Sequence, residues 1–405
     1  MTKTKLSRDW VLQIGLQTAR AGWALLIMLA MAIAVAQPAT AKKFTVLHVF
    51  EGTPDGEFSE APLVQDADGN LYGTTTSGGG DNGTVFKVDK SGNESVLYSF
   101  NGADGGFPTS GLTLDATGNL YGVAGEGPGG AGVVFRLDKS GNESILHVFQ
   151  GGFSSEPKGP AGSLIMDQAG NLYGATEAGG LGTFPGFGTI YRLDPAGNLT
   201  VLYEFQGKLD GANPIGPLVR DSNGNLYGAA PAADSGGTIN GTVFKLATDG
   251  TFTVLHTFTG GADGDGPQGG LLRDSAGNLF GSAIKGGNSG AGTVFEITNT
   301  GTFTRLYSFT GGKDGRGPNG GLVQDPDGNI YGTTQIGPRK FFLGIVFKLT
   351  PAHTLTVLHS FKGLEDGALP LAGLIRDSAG NLYGTTFKNF LIQQVQGGGV
   401  FKIKP

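Results

Sequence analysis

A chain of 405 residues is too long for one ordinary core, yet past its first forty residues no shift in composition divides it. It has no cysteine, which excludes disulfides, thiol catalysis and cysteine-based metal sites. With a formal charge of −6 it is a poor match for nucleic acid.

Residues 1–41 read as a secretory signal peptide. Lys3, Lys5, Arg8 and Arg20 precede an apolar run from Ala21 to Ala36, and Ala39-Thr40-Ala41 offers the small residues of a cleavage site. The alternative is a retained N-terminal anchor, although the run is short for a span of roughly 20 residues. Cleavage removes four basic residues and one acid, so the mature chain from Lys42 carries a charge of −9. Export to a secreted, periplasmic or cell-surface location is expected, with no membrane span once the segment is removed.

From residue 42 onward one text repeats. Asp66-Ala67-Asp68-Gly69-Asn70-Leu71-Tyr72-Gly73 returns at Gly118-Asn119, Gly170-Asn171, Gly224-Asn225, Gly277-Asn278, Gly328-Asn329 and Gly380-Asn381, about 52 residues apart. Each unit predicts four short strands. In the first they are A (Pro62 to Gln65), B (Asn70 to Thr75), C (Thr84 to Val88) and D (Ser95 to Phe100). Tight turns of the Asp-x-x-Gly-Asn kind join A to B and, in some copies, C to D.

Strands A, B and C occur seven times after residue 60, whereas D occurs six times there. The seventh D strand, Thr45 to Phe50, stands ahead of the first A, and the chain ends just after the last C. This displacement predicts an all-β, seven-bladed β-propeller with four antiparallel strands per blade, its N-terminal strand closing the last blade. A monomer is expected.

The G-N-L-Y-G, G-t-V-F-k and v-L-y-s-F segments in tandem resemble the GloVer repeat of bacterial choice-of-anchor secreted proteins, over the whole mature chain in seven copies. The resemblance implies export and surface or extracellular placement. It implies no activity.

In such blades the B to C and D to A connections share one face, and here they are the longer, glycine-rich and more variable ones, which marks that face for binding. Phe184, Phe187, Phe341, Phe342 and Phe390 are candidate rim aromatics for stacking on sugars or a partner protein, with Arg339, Lys340 and Lys388 to meet acidic groups. The D to A loops carry Asp55, Asp104, Asp210, Asp263, Asp314 and Asp366, expected as an acidic ring at the channel mouth. They suit either a cation such as calcium or fixed Asp-Gly turns. Asp66-x-Asp68-x-Asn70 and Asp325-x-Asp327-x-Asn329 look like the start of a calcium loop but lack its distal glutamate, which favours turn chemistry.

His48, His147, His256 and His359 occupy one repeat position where other copies have Tyr98, Tyr203 and Tyr307, and so read as packing residues rather than metal ligands. No catalytic residue and no cofactor stands out. The residues therefore point to a non-catalytic binding scaffold for extracellular glycan or a cell-surface protein. The alternative is a polysaccharide lyase or hydrolase using the loop carboxylates.

Overall fold

The computed structural model describes residues 43–152, 156–180, 186–232, 239–338, 343–363, 366–391 and 394–405. The chain divides into two units, Met1–Lys43 and Phe44–Pro405, so the N-terminal segment lies outside the description. The second unit holds seven four-stranded antiparallel sheets. In six of them the spatial order follows the chain, as in Val64–Gln65, Leu71–Thr75, Thr84–Val88 and Glu94–Ser99 for A to D of blade 1. In blade 7 strand D is Lys43–Val49, paired to Gly399–Lys404. The seven-bladed propeller with its N-terminal closing strand is therefore present.

Strand A is shorter than the sequence suggests, two residues in every blade except the third, where it runs Lys158–Met166. Its glycines and prolines turn the chain along the central channel instead of pairing. The last B to C connection holds an unanticipated hairpin, Asn389–Leu391 against Gln394–Gln396.

Packing explains why the same residues recur. Strand C is enclosed on both faces by neighbouring blades, so Val85, Phe86 and Val88 are fully buried while Lys87 reaches out. Phe86 pairs across the sheet with Gly73, and a Cβ on that glycine would lie 2.6 Å from the tip of the ring. The glycine of G-N-L-Y-G is thus the floor on which the phenylalanine lies, which offsets its poor strand propensity.

The Phe after each strand D then meets the strand-C aromatic of the next blade: Phe50 with Phe86, Phe100 with Phe135, Phe149 with Tyr191, and so round to Phe361 with Phe401. In all seven pairs the centroids are 4.9–5.5 Å apart and the planes 63–70° apart, edge to face. Each buried ring contributes about 1.5–3 kcal/mol by area and each pair about 0.5–1.5 kcal/mol more. The pair Phe50–Phe86 belongs to the closure. A hydrogen bond from Thr385 Oγ1 to the Ala61 carbonyl (3.3 Å) crosses the same seam, as Thr333 bonds the Ala372 carbonyl elsewhere (3.2 Å).

The A to B turn is built on its aspartate. Asp66 accepts from the backbone of Asp68 (3.0 Å) and Asn70 (2.8 Å), from the Asn70 amide (2.7 Å) and from the Tyr72 hydroxyl (2.9 Å). Partial burial works against its charge, but the bonds from Asn70, Tyr72 and Asp68 outweigh it and hold the carboxyl below its ordinary range. The other six copies repeat the Asn bond. Asp68 and Asp327 enter these turns through their backbone amides, as turn chemistry requires and a calcium loop does not.

At the start of strand D, Phe44, Phe252 and Phe303 stack flat on His359, Tyr203 and His256 of the preceding blade, with centroids 3.7–3.9 Å apart. Glu94 and Glu143 occupy that position in blades 1 and 2. Burial, followed by the charge of Asp55 and Asp104 respectively, pushes both carboxyls up to about 7. Their folded-state pKa thus exceeds the unfolded value of about 4.3, so the native chain holds extra protons between these limits. That stabilising contribution is complete below the unfolded value and is lost as pH rises through 7. The double variant Glu94→Gln/Glu143→Gln is expected to raise Tm by roughly 1–3 °C at pH 8, discounted for exposure, and to leave it unchanged at pH 4.5. Thermal denaturation at both pH values checks this; an equal shift at both would sink it.

Candidate functional site

The six loop aspartates do not ring the channel. Each D to A connection crosses the blade from its outermost to its innermost strand, and the aspartate comes at the outer end of that crossing. Asp104 accepts from the Tyr98 hydroxyl (2.6 Å) and the Asn101 amide (2.6 Å); Asp210 accepts from Tyr203 (3.0 Å), and Asp314 from Tyr307 (3.1 Å). Asp55, Asp263 and Asp366 instead face His48 Nε2 (3.1 Å), His256 Nε2 (3.3 Å) and His359 Nε2 (3.0 Å). Backbone amides of the same loops bind all six as well.

The position that accepts His or Tyr is therefore more than packing: both side chains bring a polar tip to the loop carboxylate. Burial, opposed by Asp263, keeps the His256 imidazole below its ordinary pKa. Among the described residues, no group of three or more His, Asp or Glu could hold a metal ion.

The channel mouth is a cavity of about 390 Å³, within the range of roughly 300–1,000 Å³ for small-molecule sites. One repeat position contributes to its wall from every blade, four residues before the two-residue strand A and within the longer strand A of blade 3: Glu60, Thr109, Ala161, Ile215, Gln268, Asn319 and Leu371. The frame around these residues is repeated; the residues themselves are all different. Glu177, one residue past the common Thr176 of strand B, adds a second carboxylate, and no Lys, Arg or His is among the described lining residues. Burial raises the Glu177 carboxyl. It also raises Glu60, where the charge of Lys388 works in the opposite direction.

Of the rim residues expected from the sequence, Phe184, Arg339, Lys340, Phe341 and Phe342 lie outside the described residues, as does the side chain of Phe390. Phe187 is half-buried, its ring over Gly207 and against the core of blade 4, which makes it a packing residue. Lys388 is at the rim: its ammonium stands 5.5 Å from the Phe58 ring centroid and 5.0 Å from that of Phe387, with the two rings 4.9 Å apart.

Phe58, Phe387 and Phe107 are the rim aromatics that sequence reasoning missed. Phe58 and Phe107 share a repeat position whose backbone is left-handed in all seven copies (φ 52–67°), held by Gly159, Gly266 and Gly317 in three and by Asn213 and Leu369 in two. Phenylalanine there costs about 1–2 kcal/mol of backbone strain. A bulky ring at a position whose other copies are mostly Gly or Asn was the available signal. Phe107 is 39% exposed, so burial does not account for it.

Three similarities bear on this architecture. The Gloeobacter/Verrucomicrobia repeat matches residues 33–181, 129–334 and 232–405. No curated protein matches the chain in sequence. Among solved structures, the extracellular domain of a one-component system from B. thetaiotaomicron superposes at TM-score 0.57 with 10% identity, over 90% of this chain and 40% of that one. A GH74 enzyme from Niastella koreensis superposes at 0.56 with 16% identity, over 89% and 53%. The chain thus spans about two fifths and about half of those molecules, and the likeness shows the propeller fold alone. Its own copies of the repeat, matched from residue 33 to the last strand, place it without ambiguity: the chain belongs to the Gloeobacter/Verrucomicrobia repeat family.

Proposed function

We propose that this propeller is the binding module of an exported protein, non-catalytic and directed at extracellular glycan or a cell-surface protein through the face that carries the cavity. The observation that carries this reading is the division of labour within the repeat. The repeated acids of the turns and loops are committed to hydrogen bonds that hold the frame, while the residues that differ between copies collect at one mouth. Phe107 supports it, because an exposed ring kept on a strained backbone serves contact and not folding. The basic and then apolar N-terminal pattern of residues 1–41 supports export, and calcium enters only as a variable to be tested.

One observation favours a second reading, a polysaccharide-active enzyme. Half-buried Glu60 and the more exposed Glu177 are carboxylates on a shared cavity, and both are raised above the ordinary range.

The variant Phe107→Gly separates contact from folding. It removes the ring and relieves the left-handed strain, so Tm is expected to hold or rise by roughly 1–2 °C while glycan-array binding falls at least tenfold. The arrays are run with residues 42–405, with and without calcium, alongside a reducing-sugar assay on the bound glycans. Unchanged binding in the variant removes this face from the site; release of reducing ends or unsaturated products replaces the binding reading with the enzymatic one.

A further inference from the structure

The seven residues that circle the cavity form two polar arcs separated by two apolar ones. Glu60 and Thr109 of blades 1 and 2, and Gln268 and Asn319 of blades 5 and 6, are polar; Ala161, Ile215 and Leu371 are not. A wall with amide, hydroxyl and carboxylate groups set among small apolar patches suits a compact polyhydroxylated molecule, whose hydroxyls exchange donors and acceptors while its carbon faces rest on Ala, Ile and Leu.

Charge narrows the class. The two acids on the wall are not equivalent. Glu60 has the Lys388 ammonium near enough to favour its ionised form. Partial desolvation raises Glu177, and the Asn213 amide beside it donates to the Glu177 backbone carbonyl (2.7 Å) rather than to the side chain. An accessible carboxylate on a wall with no basic side chain among its described residues is a receptor for a cation brought by the ligand.

Blade 3, which holds Glu177, also departs from the repeat in its core. Tyr191 replaces the phenylalanine found in the other six strand-C copies and is fully buried, and its hydroxyl has no hydrogen-bond partner among the described residues. The tip of the ring points inward past Gly174 to Leu164, beside the lining residue Ser163. In blades 6 and 7 a Cβ on the matching glycine would meet both the ring tip and Leu322 or Leu374, which themselves line the cavity. An unsatisfied buried hydroxyl costs about 1–3 kcal/mol.

From this geometry we propose that the cavity takes an amine-bearing saccharide, with the protonated amine on Glu177, the ring hydroxyls on Thr109, Gln268 and Asn319, and blade 3 setting selectivity for the amine. This rests on the binding reading above and names its ligand class. The rim aromatics then contact any further sugar units beyond the one in the cavity.

The test uses the chain 42–405 and calorimetric titration with glucosamine, N-acetylglucosamine and glucose, with calcium alone as a separate arm. Glucosamine is expected to bind at least tenfold more tightly than the other two sugars. Glu177→Gln is expected to abolish that preference while leaving the ligand-free Tm within about 1 °C of the parent. Binding should also weaken on acidification as Glu177 takes up its proton, at a pH above the usual carboxylate range. Equal affinity for glucose and glucosamine, an intact preference in Glu177→Gln, or calcium binding without sugar binding overturns the proposal. If glucosamine fails but array glycans still bind with dependence on Phe107, the ligand class falls and the binding module stands. If neither binds, both fall.

Discussion

Phe50→Ala is expected to cost about 3–5 kcal/mol, the same as Phe309→Ala in the middle of the ring, although Phe50 belongs to a strand some 350 residues away in sequence from the sheet it completes. Both rings are fully buried and both meet a strand-C phenylalanine edge to face, Phe86 at 4.9 Å and Phe347 at 5.4 Å. If closure is a full blade interface, the two losses match. If the ring is closed only loosely, Phe50→Ala costs far less.

Deleting residues 43–50 removes Phe44, which touches His359, Phe361 and Phe401, together with Leu47, His48 and Phe50. The sum exceeds a large part of the about 5–15 kcal/mol that a folded domain has in hand. Residues 51–405 alone are therefore expected to aggregate or to unfold at far lower urea, with blade 7 the first to lose amide protection. Urea midpoints of the two point variants, and hydrogen exchange of the truncated chain, check this. A truncated chain that retains the parent midpoint would refute the closure role.

Gly228→Ala is the second large effect. Its Cβ would lie 2.6 Å from the tip of Phe244 and 2.8 Å from Leu218, both buried, so the ring must leave its place on the blade. Overpacking of this kind costs about 1–3 kcal/mol, and the upper end is expected here because seven-fold packing leaves the ring nowhere to go. Gly250→Ala provides the comparison: it has open space but a left-handed backbone (φ 86°), so it carries strain alone, about 1 kcal/mol. Phe244→Leu should restore much of the loss in Gly228→Ala and nothing in Gly250→Ala. Urea denaturation of the four variants decides it; a neutral Gly228→Ala would mean that strand B is not the floor for the ring.

The closing strand and the glycine floor differ in how they could be foreseen. The first was legible by counting, because a D strand ahead of the first A leaves one arrangement in which every strand has its partners. The second was visible only as a recurring letter: Gly73 and Phe86 are thirteen residues apart in sequence, and their contact depends on the register of B against C.

The candidate site was less legible than the fold. A repeat in sequence displays what the copies share, and what they share is framework. The loop aspartates stood out for that reason, and the structure spends them on Tyr and His of the outer strand. Glu60 and Glu177 had no motif around them. They come together because strand A and the end of strand B lie innermost in their blades.

The amino-acid sequence by itself determined the number of blades, the four strands of each and the point of closure, because these depend on local alternation, turn residues and a count of strands. Only the tertiary structure decided which end of each loop reaches the axis, and so which carboxylates face the cavity. Distance from the axis depends on strand order across the sheet and on the curvature that closes seven blades into a ring, and neither is written in the spacing of residues along the chain.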